Sequence, residues 1–151
     1  MSETRKARCV CGAVTFEATP EDGVGACHCS ICRRWGGGPF LAVSCGTSVT
    51  GADPGAIATY ASSEWAERAF CKKCGAHLWY RLKPGDFAPG GQYIVSAGLF
   101  EDQDGLVLDH EVYVDGNPGW YGFEGEQGRK RLTEAEILEM VGAGGEGQKD
   151  A

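Results

Sequence analysis

Three tight groups, Cys9-Val10-Cys11, Cys27-His28-Cys29-Ser30-Ile31-Cys32 and Cys71-Lys72-Lys73-Cys74, hold seven of the eight cysteines of this 151-residue chain. Thiols so spaced suit a soft, tetrahedrally bound ion better than a disulfide framework. Cys9 and Cys11 are two apart, so in extended backbone both side chains leave one face. Cys71 and Cys74 have the spacing of a zinc-knuckle turn, and Gly12 and Gly75 follow the two pairs where a tight turn wants them. These four thiolates suffice to close a structural site. The middle group offers Cys27, Cys29 and Cys32 and leaves one position free.

Joining the first and last groups closes a loop of roughly sixty residues, and structural zinc then contributes on the order of 10 kcal/mol to folding. A thioredoxin-like redox pair is the alternative for Cys-x-x-Cys, but that motif opens a long helix and no helical pattern follows Cys74. Iron in a tetrahedral sulfur cage is the other alternative, and spacing leaves zinc against iron open. Two zinc ions per chain are expected.

The fourth ligand of the middle group decides between enzyme and scaffold. Water, a substrate, His28 and Cys45 are the candidates. Cys45 ends a strand pattern and reads first as a small buried apolar residue. Three thiolates on a divalent ion leave a charge of about −1, which activates water poorly and suits capture of a substrate thiol. Arg33 and Arg34 follow Cys32 and either offset that charge, grip an anionic substrate, or stand in solvent. Trp35-Gly36-Gly37-Gly38-Pro39-Phe40 allows close backbone approach or is an ordinary turn. His110, among Leu106, Leu108, Val112 and Val114, is expected as a hydrogen-bonded core histidine. Trp65, Trp79, Tyr80 and Trp120 are of a type that lines pockets, but in a domain this small most of them are expected to build the core.

The elements that must position these groups are mainly strands. Val14 and Phe16 alternate with polar neighbours over 13–18, and similar patterns recur at 40–44, 57–60, 68–70, 77–82, 93–97 and 106–114. Twenty-four glycines and six prolines supply the turns between them, so a mainly antiparallel β domain is predicted. Thr133 and Glu136 form a capping box, Leu132 and Ile137 are placed as a staple, and Gly142 stops a short C-terminal helix. The chain divides into an N-terminal extension (1–6), one zinc-binding domain (7–142) and a mobile tail (143–151).

Fourteen Lys and Arg against 21 Asp and Glu give a net charge of −7. Such a surface repels nucleic acid and anionic lipid. The polar first residues carry no secretory signal pattern, no apolar run is long enough to span a bilayer, and unpaired cysteines suit a reducing compartment, so a cytoplasmic protein is expected.

Cys-x-Cys-Gly-x-Val-x-Phe (Cys9 to Phe16), Cys-His-Cys-x-x-Cys-Arg (Cys27 to Arg33) and Phe-Cys-x-x-Cys-Gly-x-x-Leu (Phe70 to Leu78) together resemble the glutathione-dependent formaldehyde-activating enzyme family, related to centromere protein V. Ala97-Gly98-Leu99 and the segment His110 to Trp120 extend the resemblance. It implies an Mss4-like (β-tent) fold, with one zinc on Cys9, Cys11, Cys71 and Cys74. It implies a second zinc at Cys27, Cys29 and Cys32, where a thiol such as glutathione condenses with formaldehyde or a related aldehyde. The implied activity is that of a carbon-sulfur lyase. A non-catalytic zinc-stabilised scaffold is the alternative.

Overall fold

The structure is a computed structural model that describes residues 3–142 apart from 22, 86–87 and 126–127. The expected tail at 143–151 lies outside the described residues. Among the described residues ten strands form two sheets: β1 (Arg5–Arg8) pairs antiparallel with β2 (Thr15–Ala18), and eight strands make the larger sheet. Those eight are β3 (Val24–Cys27), β4 (Phe40–Ser44), β5 (Ile57–Tyr60), β6 (Ala66–Cys71), β7 (His77–Leu82), β8 (Gln92–Ser96), β9 (Leu108–Val112) and β10 (Lys130–Leu132). Their order is β10-β9-β3-β4-β8-β7-β6-β5. Most neighbours are antiparallel, but β9 runs parallel to both β3 and β10. The chain is therefore mainly β and mainly antiparallel, as the sequence patterns predict, in a β-tent arrangement whose larger sheet also includes the two parallel pairings of β9.

Strands β4, β5 and β7 form over the residues whose alternation predicts them. Their period of two sends alternate residues to opposite faces of the larger sheet. Val43, Trp79, Val95, Ala69 and Cys71 face one way and pack with Ala7, Val14 and Phe16 of the small sheet into the main core. Phe16 meets Trp79 edge to face at 5.3 Å between ring centroids, and Trp79 meets Tyr93 at the same distance. The other face carries Ala42, Ser44, Tyr80, Leu82, Gln92 and Ile94, which border a cavity rather than a packed core.

Two α-helices and three short 3-10 turns accompany the strands among the described residues. α1 (Ser30–Gly36) is a helix that the sequence patterns do not predict; it starts at Cys29, whose sulfur accepts from the Cys32 N–H, and stops at Gly37 with φ 88°. α2 (Glu134–Val141) has the predicted capping box, with Thr133 and Glu136 bonding each other's backbone N–H, and ends at Gly142 with φ 67°. No helix among the described residues is long and apolar enough to cross a membrane.

Candidate metal centres

The turn between β1 and β2 carries Cys9 and Cys11, while β6 ends at Cys71 and the turn into β7 carries Cys74. All four sulfurs lie within 4.8 Å of one another. Cys9 and Cys11 are 3.7 Å apart and Cys11 and Cys71 are 3.8 Å apart. A tetrahedron with metal–sulfur bonds of ~2.3 Å has edges of ~3.8 Å, so the donor set already has the spacing of a bound ion. Backbone N–H groups point at the sulfurs: Val14 to Cys9 at 3.3 Å, Ala13 to Cys11 at 3.4 Å, and Lys73 and Cys74 to Cys71 at 3.3 and 3.4 Å. Such donors favour thiolate over thiol. The Ala76 N–H, then the Cys11 N–H and neighbouring thiols, push Cys74 down to about 6 against its slight burial.

The second group is built differently. Cys27 ends β3, Cys29 caps α1 and Cys32 sits one helical turn later on the same face, the three sulfurs again within 4.8 Å. Hydrogen bonds from Cys27 and Cys32 hold the Cys29 thiol down to about 2, helped by the Cys32 N–H and the Arg68 charge and opposed by burial. Cys27 is pushed far up by its contacts with Cys29 and Cys32 and by burial. One thiolate thus survives by drawing on its neighbours' protons. A divalent cation replaces those protons and lets all three ionise, so the residues fit a soft metal ion.

Neither candidate for a fourth protein ligand is in place. His28 is fully buried, but Nε2 lies 2.8 Å from Glu111 Oε1 and Nδ1 lies 2.9 Å from the Tyr121 hydroxyl. Its imidazole is committed on both nitrogens and anchors the loop between Cys27 and Cys29 instead of joining it. Cys45 lies in the main core, its thiol donating to the Val43 carbonyl at 3.6 Å and pushed up to about 12 by burial and by nearby Glu21. It falls in neither sulfur group.

Glu111 ties this loop to the end of the chain. Arg129 Nε donates to its Oε2 at 2.9 Å and Arg131 Nε at 3.3 Å. Burial works against the Glu111 charge, but the hydrogen bonds from His28 and Arg129 outweigh it and hold the carboxyl below its usual range. Arg33 donates from Nε to the His28 carbonyl at 3.0 Å, a structural contact, whereas Arg34 is exposed. Gly116 sits against the same carbonyl, where a Cβ would lie 2.6 Å from the His28 oxygen. Tyr113, with φ 54°, is the one described non-glycine residue with positive φ, and it packs on Cys29, Ile31 and Cys32.

Cys27 and Cys32 border the cavity of about 340 Å³ on the open face of the larger sheet. Arg68 stands beside them, 2% exposed, with Nη1 3.4 Å from the Cys32 sulfur. Its guanidinium is sandwiched between Trp35, 5.1 Å from the ring centroid, and Tyr80, at 5.0 Å. Its Nε and Nη2 have no hydrogen-bond partner. A buried guanidinium with two nitrogens whose N–H groups are unused, beside a thiolate cluster, is suited to receive an oxygen atom of a ligand.

The seven clustered cysteines therefore come together as four and three. His110 is hydrogen-bonded to Asp109, as expected of it, but its side chain is 35% exposed and borders the cavity, so it is not a core residue. Trp79 is core, Trp65 and Tyr80 border the cavity, and Trp120 is 72% exposed, so the expectation that most of the four build the core is corrected in favour of pocket lining for two of them. Arg68, Glu111 and Tyr121 went unrecognised; Arg68 lies three residues before Cys71 in a strand pattern, where only its charge marks it.

Residues 4–116 match a family model described as glutathione-dependent formaldehyde-activating enzyme. An uncharacterized lyase of Schizosaccharomyces pombe is 34% identical over 134 residues, spanning 88% of this chain and 93% of the relative. A crystal structure of a Rhodobacter sphaeroides protein superposes with a TM-score of 0.53 at 20% identity, covering 85% of this chain and 99% of that one. This last likeness concerns the fold.

Proposed function

Because this chain belongs to the glutathione-dependent formaldehyde-activating enzyme family, we propose that it is a zinc-dependent carbon-sulfur lyase that adds a thiol such as glutathione to formaldehyde or a related aldehyde, giving an S-hydroxyalkyl adduct. The observation that carries the reading is the incomplete cysteine triad opening on a cavity, with His28 and Cys45 both engaged elsewhere. A scaffold site would be closed by protein.

In this reading Cys9, Cys11, Cys71 and Cys74 hold a zinc ion that ties the two ends of the fold together, and Cys27, Cys29 and Cys32 hold a second. Zinc held at the triad would supply an open position and a Lewis-acidic centre that favours the thiolate form of a substrate thiol at neutral pH. The chain's residues do the rest. Glu111, through His28, keeps Cys27 and Cys29 converged, and Arg33 and Gly116 hold the intervening carbonyl. Arg68 adds a fixed cation next to the reacting sulfur, and its free N–H groups are placed to receive the oxygen on which negative charge develops. Its rings, Trp35 and Tyr80, keep water from that charge.

The test is exchange spectroscopy on the equilibrium between glutathione, formaldehyde and their adduct, with the spontaneous rate subtracted. Wild type should accelerate exchange and Cys29→Ser should not. Equal rates would remove the activity, and X-ray absorption showing a fourth protein sulfur at the second ion would establish the scaffold reading in its place.

A further inference from the structure

Formaldehyde is the smallest aldehyde, and the cavity beside the triad is about 340 Å³, within the range of about 300 to 1,000 Å³ typical of pockets for larger organic molecules. Its walls are Phe40, Leu82, Ile94, Val112, Ile137 and Leu138. The last two come from α2, beyond the residues that match the family model. Two polar groups on the walls are held by neighbours: Gln92 Nε2 donates to Ser44 Oγ at 2.5 Å, and His110 Nδ1 is bonded to Asp109. The described lining residues include no carboxylate to meet an ammonium group. Arg68, at the metal end, is buried with Nε and Nη2 unused.

We infer that the cavity binds a carbonyl compound with an apolar arm, its oxygen against Arg68 and its carbon chain running between the sheet and α2. The assignment of that compound as the aldehyde substrate rests on the thiol-addition reading above. An aldehyde so placed presents its carbonyl carbon to a thiolate sulfur at the triad. The sulfur lone pair forms the new carbon–sulfur bond, the C=O π pair moves onto oxygen facing Arg68, and a proton from solvent completes the hydroxyl. Thiol plus aldehyde gives the adduct with no other reactant. Ile137 and Leu138 then make α2 the element that sets chain length.

Straight-chain primary carboxamides, which keep the carbonyl oxygen but resist thiol attack, test the site without the reaction. Binding of propanamide through octanamide to the zinc-loaded protein is followed by tryptophan fluorescence, Trp65 being on the cavity wall. Affinity should rise about fourfold per added methylene until the cavity fills. Leu138→Trp, confirmed folded by its melting curve, should flatten the series. A flat series in wild type overturns the inference. The same amides are then added to the glutathione exchange assay, run with formaldehyde and with hexanal. A rising series in a protein that accelerates exchange with neither formaldehyde nor hexanal overturns the proposed reaction while the apolar carbonyl site stands. Acceleration with a flat series does the reverse.

Discussion

His28 Nε2 lies 2.8 Å from Glu111 Oε1, both side chains buried, in the loop between two cysteines of the open triad. The register of β9 on β3 creates this pair, for Glu111 stands opposite Ala26 and Val112 opposite Cys27. The parallel pairing that sequence patterns did not predict is thus what braces the triad.

Glu111→Ala should be severely destabilising. It leaves Arg129, whose side chain is 6% exposed, without its carboxylate, and breaking one partner out of a buried pair costs about 3–5 kcal/mol. Chemical denaturation of the zinc-loaded protein measures the loss; a change under about 1 kcal/mol would show that water replaces the carboxylate without penalty.

The same group predicts a pH dependence. A carboxyl lowered in the folded state contributes stability that is fully present above its unfolded value, 4.5, and is lost as pH falls through the lower folded value. Protonation of the cysteines also weakens metal binding in acid, so the comparison is with Glu111→Gln. The stability difference between wild type and this variant should shrink as pH drops below 4.5; a constant difference would mean that the Glu111 charge is not what holds His28 and Arg129.

How much was legible follows from how local each signal is. The four-plus-three division, β4, β5, β7 and the α2 capping box each rest on residues a few positions apart, and the structure contains them. α1 was missed because its seven residues are too few to show a period and its end runs into three glycines. The Cys29-to-Cys32 spacing fits metal ligation, and it equally fits one face of a helix with a polar cap. Arg68 reaches Cys32 across 36 residues and Glu111 reaches His28 across 83, and nothing in either neighbourhood announces the partner. His110 misled for a related reason: alternation marks which face a residue shares, while α2 and the far strands decide whether that face is packed or open.

Cys71→Ser and Cys29→Ser should separate the two centres. Cys71 and Cys9 are part of the main core, while Cys29 packs in the smaller cluster with Ile31, Cys32 and Tyr113. Losing an ion that contributes on the order of 10 kcal/mol removes about as much free energy as a domain this size has in total. Cys71→Ser should therefore lose its cooperative melt and Cys29→Ser keep it. Loss of cooperativity in both would sink the division into a structural and an open site.

Gly116→Ala tests the loop geometry without touching a ligand. A Cβ there would meet the His28 carbonyl oxygen at 2.6 Å, and the nearest atoms, His28 C and the Cys29 Cα at 3.3 and 3.5 Å, are backbone too. Backbone cannot swing aside as a side chain can, so the strand end carrying Cys27 or the turn through Tyr113 has to shift. Overpacking of this kind costs about 1–3 kcal/mol. The displacement falls between Cys27 and Cys29, and their sulfurs must stay on a common centre to hold an ion. Metal titration should show the second ion bound at least tenfold more weakly, with the first, on Cys9, Cys11, Cys71 and Cys74, unchanged. Equal weakening of both ions would point to general unfolding. Unchanged binding of both would mean that the loop carbonyl does not govern the triad.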